Sequence, residues 1–149
     1  MLDVACGSGR HTRLFLDAGH PVTAVDRDVS GVEDLRSHPD LDVVEADLED
    51  GRPFPLAGRS FAAVVVTNYL WRPIVPDLVA AVAGEGVLIY ETFTRDNERF
   101  GPPHNPDFLL RPGELLEAVA GELRVLAYED LVVEEPRLAA VQRICAQRA

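Results

Sequence analysis

Positive charge is scarce in this chain. Lys and Arg together number 14 against 25 Asp and Glu, for a formal net charge of −11. The isoelectric point is about 4.7. Such a field repels phosphate backbones, so no nucleic-acid partner is expected. Cysteine is scarce too. Cys6 and Cys145 stand far apart and in no metal-ligand spacing, so both are read as reduced, buried, small apolar residues, and no metal site is expected. No basic segment follows Met1 to open a signal peptide. No apolar run approaches the eighteen or so residues of a membrane span. These absences point to a cytoplasmic protein with no membrane partner. No internal repeat, linker or second composition appears, so residues 1–149 read as one domain.

What is present suits a globular core. The chain has 149 residues, 47% hydrophobic and 26% charged. Its organising stretch is Leu2-Asp3-Val4-Ala5-Cys6-Gly7-Ser8-Gly9-Arg10-His11-Thr12. A short apolar run ends in small residues, and a helical pattern follows from Arg10 to Ala18, with Leu14, Phe15 and Ala18 expected inward and Gly19 as its cap. Gly7 and Gly9 permit a sharp turn and close approach of a ligand. A helix N-terminus after such a loop favours an anionic group.

Two further apolar runs end in acids. Val22 to Asp26 and Leu41 to Glu45 read as the second and third strands, with Asp47 just past the third. Ligands of open α/β sheets bind beyond the carboxyl ends of the strands, and an acid about twenty residues past a glycine loop can accept hydrogen bonds from ribose hydroxyls. Asp26 stands at that spacing.

The remaining elements follow in order. Ser30-x-x-Glu33 reads as a capping box opening a short helix with Val32 and Leu35 inward. Asp47 to Ser60 is a loop rich in Gly and Pro, with Phe54 and Leu56 as local packing. Phe61 to Thr67 is apolar on both faces and reads as a central strand. A helix follows Pro73, with Ile74, Val75, Leu78, Val79 and Val82 at helical spacing. Gly84-Glu85-Gly86 breaks the chain before a fifth strand, Val87 to Thr92. Phe93 to Leu110 reads as a long irregular substrate-binding loop, poorly ordered without ligand. Pro112 opens a helix through Ala120, with Leu115, Leu116 and Val119 inward. Leu123 to Leu131 and Leu138 to Ala146 are joined by too short a loop for a crossover, so they pair antiparallel. The expected fold is α/β: a Rossmann-like three-layer sandwich with a seven-stranded, mostly parallel sheet and an antiparallel edge hairpin.

Asp3-x-Ala5-x-Gly7-x-Gly9, with Asp26 and Asp47-Leu48 at the next two strand ends, resembles the class I S-adenosylmethionine (SAM)-dependent methyltransferases. The sequence is similar to the small-molecule methyltransferases grouped with the tellurite-resistance TehB-like proteins. The resemblance covers essentially the whole chain. It implies SAM as cofactor and a small-molecule methyl acceptor. It implies a cofactor site of Asp3, Ala5, Gly7, Ser8, Gly9, Asp26, Arg27, Asp47, Leu48 and Asn68, with Asp26 on the ribose and Asp47-Leu48 on the adenine. Arg10 and His11 stand near the cofactor's carboxylate, and Trp71 can cap a substrate or the sulfonium. Tyr69, Glu91 and His104 are the candidate catalytic residues. Ala5 replaces the first glycine of the loop, a change that an extended backbone absorbs. Relatives carry a helix before the first strand, and here only Met1 precedes it. A mobile Phe93 to Leu110 lid or a homodimer would then cover the ligand. Two other readings stay open: a SAM-binding module without catalysis, and a nicotinamide-dependent oxidoreductase. The second meets Thr12 where its third fingerprint glycine belongs.

Overall fold

The computed structural model describes residues 1–149. Seven strands form one sheet: β1 Leu2–Val4, β2 Val22–Asp26, β3 Leu41–Glu45, β4 Phe61–Thr67, β5 Val82–Phe93, β6 Arg124–Val133 and β7 Ala139–Gln147. Their spatial order is β3-β2-β1-β4-β5-β7-β6. The first five are parallel, while β7 runs antiparallel to both β5 and β6. The order reverses between β1 and β4, which opens a crevice at their carboxyl ends. The mostly parallel sheet with its antiparallel edge is the one the sequence implied.

Helices cover the two faces unequally. Helix α1, Arg10–Asp17, packs on β2 and joins a small cluster of Cys6, Leu16, Val22, Ala24, Val29 and Val32. Helices α2, Val75–Ala80, and α3, Glu114–Val119, lie over β5 and β7 on the main core, which includes Leu2, Val64, Val66, Leu88, Tyr90 and Ile144. The central strand β4 is buried at Val64, Val65 and Val66, so both its faces are covered there. No helix is long and apolar enough to cross a membrane.

Several local readings of the sequence are corrected. The inward face of α1 is Thr12 and Leu16, while Leu14 is 60% exposed and Ala18 also faces out. Thr12 goes inward because a buried acid on β1 draws its hydroxyl and amide. Ser30–Leu35 is a 3₁₀ turn whose first residue makes no capping bond; the amide of Ser30 instead donates to Asp28 Oδ1. An Asx turn at Asp28 has replaced the capping box. Phe54 and Leu56 join the main core rather than packing locally. Leu116 is 38% exposed, since α3 is short and presents only Leu115 and Val119 to the sheet. Cys145 is half-buried rather than buried.

The glycines at residues 84–86 do not end the helix before a new strand. Val82 already belongs to β5, opposite Phe61, and pairing resumes at Ala63 opposite Val87. The intervening residues form a bulge, with Glu85 at φ 63°. Phe93 to Leu110 also carries more local structure than its composition suggests. Thr94 bridges to Leu110, and the buried Asn97 accepts from the Ala140 amide and donates to Pro102 O. Two 3₁₀ turns, Arg95–Arg99 and Pro106–Phe108, fill the rest of the segment. Its polar side chains serve as anchors to the sheet, which periodicity cannot reveal.

The backbone after β1 turns left-handed: Ala5 has φ 53°, so it is not extended as the sequence suggested. An L-residue there costs about 1–2 kcal/mol, a cost glycine lacks. Ala5→Gly should therefore leave stability equal or raise it by up to about 1 kcal/mol, after the extra chain entropy of glycine is counted. A clear loss of stability in urea would contradict this backbone assignment. The bulge gives the opposite case. A Cβ on Gly86 would lie 2.8 Å from Ala83 O and 3.0 Å from both Ala62 O and Phe61 O. These are backbone atoms that cannot swing aside, so Gly86→Ala should cost about 1–3 kcal/mol in the same titration.

Candidate functional site

The loop after β1 is held from three sides. From below, the buried Asp3 carboxylate accepts from the Thr12 amide at 2.9 Å and the Thr12 hydroxyl at 2.7 Å, both through Oδ2. Burial pushes the Asp3 carboxyl above its ordinary value, and the Thr12 bonds offset part of that rise. From β2, Asp26 Oδ2 accepts from the Gly7 amide at 2.9 Å, while Oδ1 accepts from the Asp28 amide at 3.1 Å. From outside, Arg13 donates to Ser8 O and Gly31 O and forms a two-point ion pair with Asp34.

Glycines make this packing possible. Gly7 and Gly9 both have positive φ, and a Cβ on Gly9 would lie 2.5 Å from Val32. Gly31 was not singled out in the sequence, yet a Cβ on it would collide with the carbonyl of Gly7 and the Cα of Ser8. The loop thus lies directly on the Ser30–Leu35 turn, with backbone against backbone.

Beyond the carboxyl ends of β1, β2 and β3 opens a cavity of about 330 Å³. Its lining includes Ala5, Asp26, Arg27, Asp47, Leu48 and Glu49, with Tyr69 and Phe108 as aromatic walls. The lining holds three carboxylates against one guanidinium, so it favours a cationic ligand. No three His, Cys, Asp or Glu residues are grouped to hold a metal ion. That leaves an organic cation with some apolar surface as the matching chemistry. Burial raises the Tyr69 hydroxyl above its ordinary value, and Glu49 and Asp47 raise it further. The protonated form is thus favoured, with an O–H able to donate a hydrogen bond. A groove of about 400 Å³ at the other end of the strands, around Pro39, Arg59 and Phe61, is far from the strand ends where α/β sheets bind ligands.

The structure brings many of the predicted residues together. Ala5, Asp26, Arg27, Asp47, Leu48 and Tyr69 share one cavity. Gly7, Ser8 and Gly9 shape the loop at its edge, and Asp3 braces that loop from beneath. Asn68 follows β4 in a left-handed conformation, φ 54°, with its amide donating to Glu91 O. Such strain in a non-glycine residue often marks a functional segment. Arg10 is exposed and His11 half-exposed at the start of α1.

Asn68, Arg10 and His11 are not part of the cavity lining, and Glu91, His104 and Trp71 are engaged elsewhere or face solvent. Glu91 pairs with Arg143 on the sheet: Arg143 Nε lies 3.1 Å from Glu91 Oε2 and 3.3 Å from Glu129 Oε2, off the line a hydrogen bond needs, so the attraction is coulombic. His104 is exposed on the segment after β5. Trp71 packs half-buried on the main core and lines a separate small pocket with Arg72, Pro73 and Asp107. Conversely, Glu49, Phe108, Arg13 and Gly31 were missed. Glu49 stands two residues past Asp47, and Gly31 one past Ser30; Phe108 lies in a segment with no periodic signal.

A family profile described as a methyltransferase domain matches residues 1–84. No protein of curated function matches the chain by sequence. Among solved structures, TehB from Haemophilus influenzae superposes with a TM-score of 0.74 at 19% identity, over 99% of this chain and 57% of that one. This chain therefore spans little more than half of TehB's length. The 1,6-didemethyltoxoflavin-N1-methyltransferase of Burkholderia thailandensis, with bound S-adenosylhomocysteine, matches with a TM-score of 0.71 at 19% identity, covering 99% and 70% of the two chains. The 16S rRNA (adenine(1408)-N(1))-methyltransferase of Catenulisporales acidiphilia matches with a TM-score of 0.68 at 16% identity, covering 99% and 83%. At such identities these likenesses concern the fold alone, and they span small-molecule and RNA acceptors. The profile covers more than half of the chain, from β1 through α2 to the start of β5, and on that basis the protein belongs to the methyltransferase domain family.

Proposed function

We propose that the cavity binds S-adenosylmethionine and that the protein transfers its methyl group to a small-molecule acceptor. The observation that carries this reading is the convergence of Asp26, Asp47 and Glu49 with Leu48, Phe108 and Ala5 around one cavity beside a glycine loop. SAM is cationic at its sulfonium and ammonium, has an apolar nucleoside, and bears two ribose hydroxyls. The residues fit it. Asp26 offers a carboxylate at the end of β2 for the ribose, and Asp47 with Leu48 offers an acceptor and an apolar edge for the adenine. Gly7, Ser8 and Gly9 let the backbone approach the methionine part, and Asn68, just past β4 and next to the lining residue Tyr69, is a further candidate contact. Asp3 Oδ2 is occupied by Thr12. Its other oxygen remains for an ammonium group.

The bound sulfonium supplies an activated methyl group, so no covalent enzyme intermediate is needed. The residues of the chain then have to orient the acceptor, exclude water and keep the nucleophile in line. Tyr69, its protonated form favoured, can orient the acceptor by a hydrogen bond. Glu91 and His104 lie outside the lining, so the site contains no evident strong base. That suits an acceptor already nucleophilic near neutral pH, and it also keeps a non-catalytic SAM-binding role as the second reading. The charge of −11 favours a small acceptor over nucleic acid. A cytoplasmic location belongs to the same proposal, with a homodimer as an optional assembly.

Two variants test the site. Asp26→Ala should weaken SAM or S-adenosylhomocysteine binding by about 1–3 kcal/mol in calorimetry, the range of a charge-assisted hydrogen bond. Unchanged affinity would remove Asp26 from the ligand. Turnover with a panel of small amines, thiols and phenols separates the enzyme from the binding module. Asp3→Asn separates brace from ligand. Because burial raises the Asp3 carboxyl, the folded protein binds its proton more readily than the unfolded chain does. Its contribution to stability is therefore greatest at low pH and is lost as pH rises through the folded value. The amide oxygen that Asp3→Asn introduces can still accept both Thr12 bonds without charge. The melting temperature of Asp3→Asn relative to wild type should thus rise as pH increases from about 4, the unfolded carboxyl value, through the raised folded value, while SAM affinity falls. Intact affinity would confine Asp3 to the brace.

A further inference from the structure

The two aromatic walls of the cavity come from different parts of the chain. Tyr69 follows β4, and Phe108 lies on the Pro106–Phe108 turn, in the segment after β5. One side chain joins these regions. Arg72, three residues past Tyr69, donates from Nε to Glu114 Oε1 at 2.6 Å and from a terminal nitrogen to Glu114 Oε2 at 3.1 Å. The same guanidinium donates to the carbonyls of Asp107 at 3.0 Å and Leu109 at 2.8 Å, and at 3.4 Å to that of Pro106. It therefore grips the carbonyls on both sides of Phe108. Glu114 is in turn fixed by the Arg111 amide at 2.7 Å.

The rest of the environment makes this a directed clamp. Glu114 is 9% exposed at the start of α3. Burial alone would raise its carboxyl, but the bonds from Arg72 and Arg111 outweigh it and hold the group below its ordinary value. The Glu114 bond likewise raises the Arg72 guanidinium, so the pair stays charged throughout the ordinary range. On the Tyr69 side, the buried Tyr90 hydroxyl donates to Tyr69 O at 2.8 Å. Asn105 caps the turn by accepting from the Asp107 amide at 2.9 Å. Phe108 itself does not belong to the main core cluster, so the turn that carries it is held by this grip together with the burial of Leu109 and Leu110 next to it.

We propose that Arg72 is a positioning residue that holds Phe108 against the ligand cavity, and that Phe108 is the cover the SAM site gains from the segment after β5. This rests on SAM occupying that cavity. Arg72 touches no ligand; it acts through the turn. A lysine cannot replace it, because one ammonium cannot reach two carboxylate oxygens and the flanking carbonyls together.

The test is a double-mutant cycle read by calorimetry with S-adenosylhomocysteine on the intact chain. Phe108→Ala and Arg72→Gln should each weaken binding about tenfold, and Arg72→Lys nearly as much. The double variant should be no weaker than either single one, because both remove the same contact. Amide exchange at residues 107–109 should quicken in Arg72→Gln and stay slow in Phe108→Ala. If the losses multiply, Arg72 supports the fold generally and the clamp is rejected. If Phe108→Ala binds as well as wild type, Phe108 is not the cover. If wild type binds no S-adenosylhomocysteine, the functional reading itself fails, and the clamp falls with it.

Discussion

A buried carboxylate bonded to a threonine ties the first strand of this protein to its first helix. Asp3 takes the amide and hydroxyl of Thr12, and the residues between them have no freedom left to spread. Ala5, Gly7 and Gly9 are bent into left-handed conformations, and the loop is pressed onto Gly31. Asp26 then catches the Gly7 amide from β2. The strained backbone is stable because each of these contacts fixes it from another direction. The glycine loop and the edge of the site it forms beside Asp26 inherit their position from that junction.

The cavity's chemistry follows from where parallel strands end. Each of β2 and β3 delivers an acid near its carboxyl end, and the loop after β3 adds Glu49. Three carboxylates against one arginine give a negative lining in an already acidic molecule. An anionic dinucleotide would meet repulsion there, whereas a sulfonium would be attracted. Aromatic walls from two other segments complete the enclosure. The Arg72 grip links those walls, so the half of the site matched by the family profile depends on a segment outside residues 1–84.

Strand content was legible in the sequence because apolar runs between turn residues have few other solutions. β1, β2, β3 and β4 are found where their hydrophobic runs lie, and the antiparallel pairing of β6 with β7 follows from a connection too short for a crossover. Asp26 and Asp47 were legible as acids closing apolar runs, and Leu48 only through the family resemblance; all three line the cavity. What escaped was whatever depends on tertiary contacts. Thr12 turns inward to meet Asp3, against the apolar pattern that favoured Leu14. Ser30 follows an Asx turn set by Asp28. Phe93 to Leu110 is anchored by single polar residues such as Asn97, which carry no periodicity. Glu91 and His104 have chemistry suited to a base, but position decides, and one is paired with Arg143 while the other faces solvent.

SAM occupying the acidic cavity at the strand ends is the central claim. Backbone amide shifts measured by NMR during a SAM titration test this most directly. The account predicts saturable shifts at Gly7, Ser8, Gly9, Arg27, Leu48, Glu49 and Phe108, with the groove around Pro39, Arg59 and Phe61 unmoved. Shifts confined to that groove, or none at all at millimolar SAM, would contradict it.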